Sequence, residues 1–297
     1  AGAAAVGVLA GALPGWALHG AVALGLAATG GFLGWQWRRG RAALGKPHPG
    51  LAWYQAALGC LLLALLAILV GLLWPAGYAA LRLVHLHLNT LGFIGLTAIG
   101  TLHVLMPTVL GQPDPLAAQR LRRQLPWALG GVALSALAGV LPWLTLPGAL
   151  LMGGVVAHTL AGWVKTHGWR RIVGDGAAVA LMGAGVGLLA AIAIGFAHGL
   201  GGMPGRPAVT AFFALFLLPL VTGALSQLLP VWRFPGPVTP ARGRMRTALV
   251  RFGALRTGLF LGGGALLTLG QTAGAALLGA GVLLFAAVLL GGLAVRR

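Results

Sequence analysis

The chain has 297 residues, 59% of them hydrophobic and 7% charged, with 20 Lys+Arg against 2 Asp+Glu and a net charge of +18. A soluble domain needs about a quarter charged residues to coat its surface, so a water-facing globule is excluded. A membrane β-barrel is excluded too, because the apolar runs are continuous and rich in Leu, Ala and Gly, where barrel strands alternate.

In chain order, the first apolar run, 1–13, is too short to cross a bilayer. The chain opens on Ala1 with no basic leader, so this run reads as an incomplete span and not as a secretory signal. Spans are then expected at 15–37, 51–73, 79–110, 126–145, 147–165, 176–198, 207–232, 248–270 and 273–294. The expectation is an all-α polytopic transmembrane bundle of about nine or ten spans, forming one domain whose principal partner is the lipid bilayer. Pro and Gly mark the joints, as at Lys46-Pro47-His48-Pro49, Gln112-Pro113-Asp114-Pro115 and Phe234-Pro235-Gly236-Pro237.

The basic residues orient the bundle. Arg38, Arg39, Arg41 and Lys46 share one joint; Arg120, Arg122 and Arg123 share the next but one. Lys165, Arg170 and Arg171 follow, then the group from Arg233 to Arg256, then Arg296 and Arg297; only Arg82 and Arg206 fall in the alternate joints. By the positive-inside rule the rich joints and the C-terminus are cytoplasmic, in a bacterial inner membrane. The same placement explains the charge without nucleic acid as a partner.

The stretch from Phe93 through Gly100 to Met106-Pro107 echoes Phe216 through Gly223 to Leu229-Pro230, about 123 residues later. Arg82 and Arg206 keep nearly the same register, so a four-helix internal repeat is expected, as is common in membrane folds.

Acids are almost absent: Asp114 and Asp175 are both expected in cytoplasmic loops. No carboxylate pair stands inside the bilayer for acid–base chemistry or a hard cation. Cys60 lies within an apolar run and reads as a small core residue. Polar chemistry within the spans falls to histidine. His48 and His167 are in basic joints and are expected to be solvated; His19, His85, His87, His103, His158 and His198 lie in or at the ends of spans. Each buried imidazole costs free energy unless satisfied, and neutral imidazole is a common ligand for iron, copper and zinc. His19, His85, His87 and His198 are expected in one outer layer, and His103 with His158 deeper. His85 and His87 point roughly 200° apart on a helix, so they suit two sites flanking one helix. Arg82, one turn before them, is placed to hold an acidic group or to reach the headgroups.

The segment Val84-His85-Leu86-His87-Leu88-Asn89, with Gly92-Phe93, Gly100, His103, Met106-Pro107 and Gly111, resembles the haem-copper oxidase superfamily, the catalytic subunits of cytochrome oxidases and nitric oxide reductases. The resemblance covers about 30 residues closely. It implies that His85 ligates a high-spin haem b and His87 a low-spin one, with His19 loosely resembling the second low-spin ligand, and Arg82 beside a propionate. The family's adjacent His-His copper pair, its His-linked Tyr and its intramembrane acids have no counterpart here, which argues against oxygen reduction coupled to proton pumping. The smaller NnrS family of haem- and copper-containing membrane proteins, linked to the nitric oxide response, shows a similar histidine and glycine-aromatic pattern.

The leading expectation is a b-type haem protein for electron transfer or small-gas (NO or O2) redox chemistry at the outer face. His19, Arg82, His85, His87, His103 and His158 would hold the cofactor, in a subunit with a redox partner or further membrane subunits. Copper held by His19, His85, His87 and His198 remains open. So do two alternatives: a transporter or channel for copper or a small solute, and a structural subunit whose histidines merely pack.

Overall fold

The computed structural model describes residues 16–295. The short run 1–13 and the terminal Arg296 and Arg297 lie outside the described residues.

Among the described residues all regular structure is helical: α1 (Trp16–Arg41), α2 (Gly50–Leu73), α3 (Pro75–Leu110), α4 (Ala117–Leu137), α5 (Thr145–His167), α6 (Trp169–Val173), α7 (Gly176–Gly199), α8 (Gly205–Arg233), α9 (Pro240–Val250), α10 (Gly253–Thr268) and α11 (Ala273–Leu293). The protein is a multi-pass all-α membrane protein. Among the described residues, seven helices are long and apolar enough to cross a membrane: α1, α2, α3, α5, α7, α8 and α11. Apolar side chains such as Leu63, Leu66, Leu283 and Leu290 project outward from them, where only lipid can cover them. Exposed tryptophans gather near helix ends, at Trp16, Trp37, Trp74, Trp143, Trp169 and Trp232, as expected of rings seated at the headgroups.

Two expected spans take a different form. The 126–145 span is helix α4, which starts nine residues earlier, inside the basic joint, and stops at Leu137 ahead of the Leu141-Pro142 break. The 248–270 span is broken at Phe252, whose backbone is left-handed (φ 58°). Helix α10 begins after that break and is about 24 Å long, short of a hydrocarbon core of roughly 30 Å.

The chain divides into two compact units, one running to Thr101 and adding Leu116–Met152, the other comprising Leu102–Pro115 and Gly153 onward. In the first, α2 packs against α1, the N-terminal part of α3 and α4. In the second, α7 packs against α8 and α10, while α9 and α10 pack against α11.

The echo read from sequence has a structural counterpart. Helix α3 widens to a π-helix at Leu88–Gly95, and α8 does so at Phe212–Leu217. The two π stretches fall at the same repeat position within a residue, and each is followed by a regular segment with a proline inside, Pro107 or Pro230. Close approach accompanies both. A Cβ on Gly92 would stand 2.7 Å from Cβ of Cys60 on α2, and one on Gly187 of α7 would collide with the Leu215 carbonyl of α8.

Candidate functional site

His85 and His87 close the regular part of α3, immediately before its π stretch. Both are half-buried. His85 Nδ1 donates to the Ala64 carbonyl of α2 at 2.8 Å. A carbonyl only accepts, so the proton is on Nδ1 and the Nε2 of His85 carries the lone pair. The Asn89 side-chain nitrogen lies over the ring, 3.1 Å from Nε2 and 3.4 Å from Nδ1, and donates to the His85 carbonyl at 3.1 Å. His87 Nδ1 donates to the Leu83 carbonyl one turn back, at 2.9 Å. His87 is thereby held in the same tautomer, with Nε2 as its basic nitrogen.

The two rings are therefore alike in protonation, each with one nitrogen donating to a carbonyl and the other basic, the arrangement usual in ligating histidines.

His19 is half-buried on α1, which packs on α2, the helix that also carries Ala64. Arg82 is exposed one turn before His85. These four residues, His19, Arg82, His85 and His87, belong to the first unit.

The other expected ligands belong to the second unit. His198 Nδ1 donates to the Met203 carbonyl at 2.8 Å, and a Cβ on Gly205 would stand 3.0 Å from its Nε2, so the ring staples the α7–α8 turn. His103 is 1% exposed, next to Leu102, Leu105 and Met106 of a buried cluster that includes Trp163 and Leu181. His158 is exposed on α5. Among the described residues no three of His, Cys, Asp and Glu come together in a way that could hold a metal ion.

Two joint residues depart from expectation. His167 is buried, not solvated, and donates from Nδ1 to Gln112 Oε1 at 3.3 Å, because the turn after α5 folds it inward. Asp175 is more than a loop acid: it caps α7, accepting at Oδ1 from the amides of Ala177 (2.9 Å) and Ala178 (3.0 Å). Its other oxygen accepts from Arg246 Nη2 at 2.7 Å. Arg246 also donates to the Val109 carbonyl at 2.9 Å and to Gln227 Oε1 at 2.8 Å. The signal for the cap was present as Gly174-Asp175-Gly176 before an apolar run; that for Arg246 was not, since its partners are distant in sequence.

No family model, no curated protein and no solved structure matches the chain.

Proposed function

We propose that the protein is a membrane-embedded haem b protein serving electron transfer or small-gas redox chemistry near the outer face, with His85 and His87 as the candidate axial ligands. The observation that supports this reading is that both donate from Nδ1 to a carbonyl, of Ala64 and Leu83, which makes Nε2 the basic nitrogen of each ring beside a π stretch. Such stretches recur at functional sites because they splay side chains that an α-helix would stack. A bound haem would supply a one-electron couple whose potential the axial ligand and surrounding hydrogen bonds tune. His87 binds and orients; the Leu83 carbonyl fixes its tautomer and raises its basicity. The Ala64 carbonyl does the same for His85, and that bond also ties α3 to α2. Arg82, exposed one turn outward, is placed for an acidic edge of the group. The charge pattern puts this end of α3 on the periplasmic side of a bacterial inner membrane, with the C-terminus in the cytoplasm.

The test is a reduced-minus-oxidised spectrum of the purified protein after incubation with haem. A Soret band with stoichiometric binding is expected, shifted or lost in His85→Ala and in His87→Ala. A colourless protein, or equal spectra across the set, overturns it.

A second reading, a transporter for copper or a small solute, is favoured by one observation: the two π stretches occupy corresponding positions in the two halves, and internal repeats of this kind are common in membrane carriers. Haem-independent copper uptake into vesicles, lost on changing His85 and His87 together, would support it.

A further inference from the structure

A second polar site lies far from the histidine pair in sequence, within the second unit. A cavity of about 760 Å³ opens between the end of α3 and the α6–α7 turn, lined by Thr108, Gly111, Arg171, Gly174, Asp175 and Arg246 among others. Its charges do not cancel. Asp175 is fully committed, with one oxygen on the α7 amides and the other on Arg246. That ion pair neutralises Arg246 and leaves Arg171 without a counter-charge. Arg171 is exposed and donates from Nη1 to the neutral Gln112 Oε1 at 2.6 Å, which holds the guanidinium in place while most of its fork stays open. Arg246 binds through Nε and Nη2, so both Nη1 hydrogens remain available. The cavity thus presents two anchored guanidinium edges and a net positive charge. Planar forks of this kind suit tetrahedral oxyanions, above all phosphate. Exposed Trp169 lies two residues before Arg171, on the face that carries the basic joints, which sets the cavity at headgroup depth.

We propose that this cavity binds a phosphate-bearing anion through Arg171 and Arg246, and that the bilayer supplies it as the headgroup of an anionic phospholipid. Arg171 is the determinant, since Arg246 is already required to hold Asp175.

The full chain, purified in detergent and delipidated, would be titrated with phosphatidylglycerol, with phosphatidylcholine and with inorganic phosphate, reading bound lipid by native mass spectrometry. Phosphatidylglycerol is expected to bind, and Arg171→Gln to weaken it by about five-fold, with Arg171→Lys intermediate because charge without the fork recovers only part. Arg171 is exposed, so neither variant should disturb folding; unchanged melting temperatures of the lipid-free variants verify that. If millimolar inorganic phosphate displaces the lipid from the native chain but not from Arg171→Gln, the phosphate chemistry is upheld. If inorganic phosphate binds while phosphatidylglycerol does not, the lipid source is overturned. Equal binding of both lipids, or indifference to Arg171→Gln, overturns the site itself.

Discussion

At the scale of single residues, the most consequential side chain outside the histidine pair is Arg256. Its place among the basic joints suggested a solvated charge, yet it is 1% exposed. Nη1 donates to the Arg251 carbonyl at 2.8 Å and Nη2 to the Leu249 carbonyl at 3.1 Å, with the Ser226 hydroxyl at 3.4 Å and the Phe285 ring 5.2 Å from the guanidinium carbon. The guanidinium therefore satisfies the last carbonyls of α9 across the sharp turn at Phe252. Removing one partner of a buried charged hydrogen bond leaves the others unpaired. Arg256→Ala is expected to destabilise the protein by about 2–4 kcal/mol, read as a fall in thermal midpoint in detergent; Arg251→Ala, exposed nearby, should leave it almost unchanged. The sequence shows that Arg256 is basic and near a joint. That it turns inward follows from a break at residue 252, where the left-handed backbone falls on Phe252 and not on the neighbouring Gly253. The same limit applies to His167 and Asp175, whose partners Gln112 and Arg246 lie far away along the chain. By contrast, the opposed directions of His85 and His87 follow from their spacing alone, while the Ala64 carbonyl that holds His85 lies on another helix and does not.

At the scale of elements, the helix contacts depend on glycine where the π stretches meet their neighbours. Gly92→Ala would put a methyl 2.7 Å from Cβ of Cys60, and overpacking of this kind costs about 1–3 kcal/mol. Pairing it with Cys60→Gly should recover part of the loss, a coupling that a double-mutant cycle would measure. Gly187→Ala meets the Leu215 backbone carbonyl instead, which cannot swing aside, so its melting temperature should fall further than that of Gly92→Ala. Most of the helices were legible because about 20 apolar residues in a row have few other solutions in a bilayer. Their ends were less so. Helix α4 starts at Ala117, ahead of the Arg120–Arg123 group, because charged residues at headgroup depth are compatible with helix, and hydropathy alone marks only the submerged part. The π register was not legible at all: a wider turn differs from an α turn by one residue of tertiary fit, and Leu88–Gly95 has no composition that demands it.

At the scale of the whole molecule, the asymmetry of charge makes a topological prediction. With Cys60→Ser removing the native thiol, His48→Cys should react with a membrane-impermeant maleimide only after cells are permeabilised. Leu200→Cys should react in intact cells. Both residues are exposed, so accessibility reports sidedness and not burial. The reverse pattern would invert the membrane orientation and move the His85–His87 pair to the cytoplasmic side. Such an inversion would leave the packing within each unit untouched, since those contacts do not depend on which leaflet they face.

The bond from His85 to Ala64 also limits what can travel along α3. A side chain that passes protons onward must take one at one ring nitrogen and surrender another from the opposite side. His85 Nδ1 faces a peptide carbonyl, which has no appetite for a proton near neutral pH. Anything that arrives at Nε2 must leave by the same door, making this imidazole a cul-de-sac rather than a stepping stone for hydrogen ions.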